Sequence, residues 1–166
     1  MVLSLLLQLN QAALDLKVVE LVPRDDGRLE ERAAPRRAAS HSVILLDVYG
    51  TLHYAGARTL QHHLPDPTGT QAPAVVLRMR GCSTLGATFL AGLAGYARQL
   101  ADVGGRLYVS GLDPALVAQA ERTGSIPDDG PVRLHEASPV VGASRLQAFH
   151  DAQVWTKAPQ VGEPDA

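Results

Sequence analysis

Apolar positions fall into two periods along the chain, and the switches between them outline the elements. "LKVVELV" (Leu16 to Val22) predicts a first strand closed by Pro23. "VILLDVYGTLHY" is a long β-type stretch bent at Gly50, and "AGARTLQHHL" a short helix ended by the Pro65–Pro67 turn cluster. "AVVLRMR" is a continuous apolar run of the kind that forms a fully buried strand. From Ser83 to Val103 the period becomes helical, with Leu85, Phe89, Leu93, Tyr96 and Leu100 on one face, and Gly104-Gly105 as the C-terminal stop. "RLYVSGL" is the next strand. "DPALVAQAERTG" is a helix with Asp113 as N-cap, Pro114 in its first turn and Gly124 beyond its end. "VRLHEA" is a short strand, and "GASRLQAFHDAQVW" a last amphipathic helix. Strands alternating with helices predict an α/β domain whose central strands are parallel.

Two flanking stretches fit no element of this alternation. "PRDDGRLEERAAPRRAAS" carries five arginines and four acids around Gly27 and Pro35, and residues 24–40 are expected as a solvated, charged loop. The tail, 156–166, is polar with two prolines and is expected to be disordered. At the other end, "MVLSLLLQLNQAALDL" has an apolar block (Val2 to Leu9) far shorter than the ~18–20 residues that span a bilayer. It lacks the basic start and the cleavage site of a signal peptide. Residues 1–15 are either an amphipathic N-terminal helix or the end of a longer hydrophobic helix.

Composition narrows the function classes. With 166 residues, 46% hydrophobic and 19% charged, the chain suits one globular domain. Only 4% of residues are aromatic, so Leu, Val and Ala must build the core. Fifteen basic residues against 17 acidic ones leave a net charge of −2, which argues against nucleic acid as a partner. Cys82 is the only cysteine, which excludes an internal disulfide and a cysteine-based zinc site. None of the six histidines has a metal-ligand spacing, so no metal or other cofactor is implied. Phosphate-binding and nucleophile-elbow motifs are missing as well.

Two stretches carry candidate chemistry. "LLDVYGTL" (Leu45 to Leu52) resembles the first motif of haloacid dehalogenase-like hydrolases, in which Asp47 would be the nucleophile and Ser110 a second element. Those enzymes need a lysine between the serine and an acidic pair that closes a strand, but the only lysines, Lys17 and Lys157, lie outside the stretch from Ser110 to Asp128-Asp129, and that pair follows a turn rather than a strand. The alternative is structural, with Asp47 on the exposed face of a strand. The second stretch, "RGCSTLGATF", is a strand-to-helix turn. Ser83 or Thr84 there can cap the helix, contributing about 1 kcal/mol, and a helix N-terminus favours an anion or phosphoryl group. Cys82 in the same turn is either a thiol of lowered pKa or a small buried residue.

Taken in order, strand, "RGCSTLGATFL", helix, "GGRLYVSGLDPAL", helix and "EASPVVGASRLQAFHDAQVW" resemble a STAS domain. More narrowly, the chain resembles the C-terminal cytoplasmic STAS domain of SulP-family inorganic anion (sulfate) transporters. The resemblance spans 16–155, treats residues 1–15 as the end of a truncated membrane-proximal helix, and makes the dehalogenase-like octapeptide a coincidence. It implies a mixed β-sheet with helices packed mainly on one face and no enzymatic activity. The implied role is regulatory, through contacts with the transporter's membrane domain and with other cytoplasmic proteins, at the cytoplasmic side of the plasma membrane. A free-standing regulator of the anti-sigma factor antagonist type is the nearest variant. In those antagonists a serine in a D-S-S-G-L-G-like turn is phosphorylated, and alignment on Leu85-Gly86 makes Ser83 its equivalent. The regulatory or anion-binding turn is therefore Gly81, Cys82, Ser83, Thr84 and Gly86, with Gly81 at the acidic position and Thr84 at the glycine. Nucleotide binding, known for some STAS domains, would use the same turn and has no separate support in the sequence.

Overall fold

The computed structural model describes residues 16–49, 60–79, 87–123, 126 and 130–158. Six strands form one sheet: β1 (Lys17–Pro23), β2 (Leu29–Ala33), β3 (Val43–Tyr49), β4 (Ala74–Arg78), β5 (Arg106–Leu112) and β6 (Val132–Glu136). Among the described residues three helices accompany them: α1 (Ala87–Asp102), α2 (Pro114–Thr123) and α3 (Ala143–Lys157). A further helical turn covers residues 60–63. The strand order is β2-β1-β3-β4-β5-β6. The β1–β2 and β1–β3 pairs are antiparallel, while β3 through β6 run parallel, so the sheet is mixed as expected.

The parallel strands are apolar on both faces because helices cover both. On one face Leu46, Val75, Leu77, Leu107 and Val109 meet Phe89, Leu93, Tyr96 and Leu100 of α1 and Val117 of α2. The predicted helical stripe thus points inward; its first member, Leu85, lies outside the described residues. Tyr96 donates its hydroxyl to the Pro65 carbonyl at 2.7 Å, which ties α1 to the segment after the 60–63 turn. On the other face Val19, Leu21, Leu45, Ala74, Val76 and Tyr108 meet Ala148 and Ala152 of α3. Those alanines, four residues apart and both 0% exposed, let the helix backbone lie close to the sheet. Helices are thus packed mainly on one face, as expected, and among the described residues α3 alone covers the second. Its end is held by Trp155, whose ring lies 4.8 Å under the Arg106 guanidinium.

Helix ends follow local chemistry. Asp113 caps α2 by accepting the Ala115 N–H at 2.8 Å. The chain leaves α1 through Gly104 at φ +70°, and the Gly105 N–H returns to the Leu100 carbonyl at 2.6 Å.

Two boundaries differ from expectation. The charged segment 24–40 is not all loop, because it contains β2. This edge strand pairs with β1 through its backbone while Glu30, Glu31 and Arg32 face solvent, so no apolar alternation marks it. Arg24 and Arg32 both clasp Glu30, at 2.9 and 3.2 Å. The helix α3 also runs two residues into the expected tail, through Thr156 and Lys157, where the Thr156 hydroxyl bonds back to the Ala152 carbonyl. Residues 1–15, the bend at Gly50, Gly124 and the tail from 159 onward lie outside the described residues.

Candidate functional site

The apolar strands of the parallel sheet are interrupted by polar residues at matching depth. Asp47 sits opposite Arg78, Arg78 opposite Ser110, and Ser110 opposite His135. Side chains alternate across a strand, and Leu45, Val76 and Tyr108, two residues before Asp47, Arg78 and Ser110, belong to the α3 face. A polar row therefore crosses the carboxyl ends of the parallel strands on the face that α3 covers.

Each member is held differently. Arg78 Nη1 donates to Asp47 Oδ2 at 2.5 Å. The Asp47 side chain is 3% exposed and that of Arg78 18%, so each charge depends on the other for compensation. Asp47 is consequently not on an exposed strand face as the sequence suggested. The strand tolerates an inward carboxylate because Arg78, 31 residues later, supplies its partner. The His135 ring stacks on Tyr108, with centroids 6.2 Å apart, and Nε2 lies 3.8 Å from Asp151 Oδ2. Burial holds this imidazole below its ordinary pKa, while the Asp151 carboxylate pulls in the opposite direction.

The row meets the N-terminus of α3. The β5–β6 register shifts between Ser110 and Leu112, and Gly111 between them has φ +80°. This bulge turns the Gly111 N–H toward α3, where Ser144 Oγ accepts it at 3.1 Å and donates to the His135 carbonyl at 3.3 Å. Ser144 thereby locks the helix start to both strands. A cavity of about 20 Å³ remains there, lined by Arg78, Ser110, Ser138, Gly142, Ser144 and Arg145 among others. A much larger cleft, about 1000 Å³, lies between the β1–β2 hairpin and residues 61–66. It is an open groove of solvated side chains such as Arg32, Arg36 and His62, with no buried, unpaired side-chain polar atom among its described residues.

The predicted turn, Gly81, Cys82, Ser83, Thr84 and Gly86, lies outside the described residues. Its flanks are described: β4 ends at Arg78, the Met79 N–H is bonded to the Ser110 carbonyl at 2.8 Å, and α1 begins at Ala87. The strand-to-helix order around the turn is thus as read. Asp47 and Ser110 do come together, but as members of the same polar row with Arg78 between them. Sequence reasoning missed Arg78, Ser144 and Arg145. For Arg78 the signal available was a polar residue at the fifth position of three successive, largely apolar strands, Asp47, Arg78 and Ser110.

Solved structures decide the architecture. Murine Solute Carrier 26 family member A9, an anion transporter in the inward-facing state, superposes with a TM-score of 0.52 at 15% identity, over 94% of this chain. A second structure of SLC26A9 gives a TM-score of 0.58 at 12% identity, over 95% of this chain. The fold is that of a STAS domain. It corresponds to 24% and 28% of those transporter chains, so the STAS fold here spans about a quarter of their length. No protein-family model matches the sequence, and no curated protein matches it. No helix among the described residues is long and apolar enough to cross a membrane.

Proposed function

We propose that this chain is a non-catalytic regulatory STAS domain of a SulP-type inorganic anion (sulfate) transporter. It works at the cytoplasmic side of the plasma membrane, through contacts with the transporter's membrane domain and with other cytoplasmic regulatory proteins. The observation that carries this reading is the shared fold, which uses nearly all of this chain and only about a quarter of an anion transporter. The polar row favours a non-catalytic role. A nucleophilic carboxylate needs an open approach, whereas Asp47 is buried and committed to Arg78.

The test joins this chain to the membrane domain of a SulP transporter stripped of its own STAS domain. Sulfate uptake into proteoliposomes should rise above that of the membrane domain alone. Equal uptake with and without the chain overturns the reading in favour of a free-standing regulator. Phosphatase or dehalogenase turnover that disappears in Asp47→Asn overturns it in favour of a hydrolase.

The turn at Ser83 is the regulatory element of this reading. A phosphoryl group there would add about two negative charges at a helix start. Ser83→Asp should therefore shift uptake by the fusion well beyond the effect of Ser83→Ala. Equal effects of the two substitutions assign Ser83 to capping alone.

A further inference from the structure

The cavity between the polar row and α3 gathers hydrogen-bond donors without acceptors to match them. Ser110 is 0% exposed, and its Oγ has no hydrogen-bond partner. Arg145 Nε is equally buried and equally without a partner. A buried hydroxyl or guanidinium N–H left unpaired is costly, and such groups in folded proteins point to something that satisfies them. The start of α3 adds to the deficit. Gly142 at its N-cap has φ +87° and offers no side-chain cap. Of the first N–H groups, those of Ala143 and Leu146 reach the Val140 and Gly142 carbonyls, leaving Ser144 and Arg145 without a backbone acceptor among the described residues.

Charge and size define what fits. Arg78 is already neutralised by Asp47, whereas among the described residues no carboxylate pairs with Arg145. The cavity wall therefore carries one uncompensated positive charge, reinforced by the positive end of the α3 dipole. A volume of about 20 Å³ matches a single water-sized particle, which favours a small monoatomic ion over a tetrahedral oxyanion. We propose that this cavity is a binding site for one monoatomic, monovalent anion of halide size, held by Ser110 Oγ–H, Arg145 Nε–H and the first turn of α3. Binding is a property of this chain alone and does not rest on its belonging to a transporter.

Bromide, a halide with an anomalous X-ray signal, is the probe. Crystals of the full chain grown with sodium bromide should show one anomalous peak between Ser110 and Arg145. In solution, chloride should raise the thermal midpoint saturably at constant ionic strength, and sulfate should not. Both Arg145→Gln and Ser110→Ala should weaken the apparent chloride affinity, the first on the order of tenfold or more because it removes a charge-assisted donor. Ser110→Ala removes a hydroxyl with no protein partner, so it keeps the fold and leaves the test readable. A cavity peak without anomalous signal means a water and overturns the proposal. So does a chloride response that neither substitution alters, or a sulfate response equal to that of chloride.

Discussion

Asp47 and Arg78 face one another across β3 and β4 with most of both side chains withdrawn from water. Removing one partner of such a pair strands the other, at a cost of roughly 3–5 kcal/mol. Asp47→Ala should lose stability toward the lower end of that range, since Arg78 keeps 18% of its side chain exposed. Replacing both together, Asp47→Leu with Arg78→Met, should restore most of the loss; urea unfolding of the three variants checks this. His135 makes a pH prediction. Its folded-state pKa is depressed by burial, so below about 6.5 the unfolded chain binds the proton more readily than the folded one. The neutral ring's contribution is complete above that pH and is lost as pH falls through the lowered folded value. Thermal midpoints from pH 7.5 to 5 should therefore fall less steeply in His135→Gln. In Asp151→Asn they should fall more steeply, because the one carboxylate favouring the imidazolium is gone.

The elements were legible wherever local chemistry and burial agreed. β4, β5 and α2 follow from an apolar run, a second apolar run and a capped helix, and each depends on neighbours a few residues away. β2 was hidden because its only structural instruction is a backbone ladder with β1, and charged side chains carry no trace of that pairing. Asp47 was misplaced for a related reason: the sequence displays a carboxylate, but not the arginine that a parallel crossover brings beside it. Gly104 and Gly105, by contrast, were read correctly as the end of α1, and the structure separates their roles. A Cβ on Gly105 would lie 2.6 Å from the Pro73 carbonyl oxygen, whereas one on Gly104 would meet nothing within 4 Å. Gly104→Ala should thus cost about 1–2 kcal/mol from its positive φ alone. Gly105→Ala should cost more, because the α1–β5 junction must open; denaturant midpoints of the two variants give the order.

At the scale of the whole molecule, the sheet has two unequal roofs. Among the described residues, one face is buried by α1, α2 and the 60–63 turn, while the other is covered by α3 alone. A chain cut before Ala143 should keep the first core and bare Val76, Leu45 and Tyr108, binding a hydrophobic dye and self-associating where the full chain does not. Fold class and the order of elements could be read from the sequence because they follow from alternation along the chain. The site could not, since its members come from four strands and a helix and meet only through register. The roof also carries its own indicator light. Trp155, the chain's single tryptophan, sits near the end of α3 beneath Arg106. Its emission should move to longer wavelength when the helix lifts from the sheet and the ring enters water. Because α3 lies across β3, β4 and β5 at once, that colour change should coincide with the loss of circular dichroism during urea unfolding. An earlier colour change would mean that the roof comes off before the house falls.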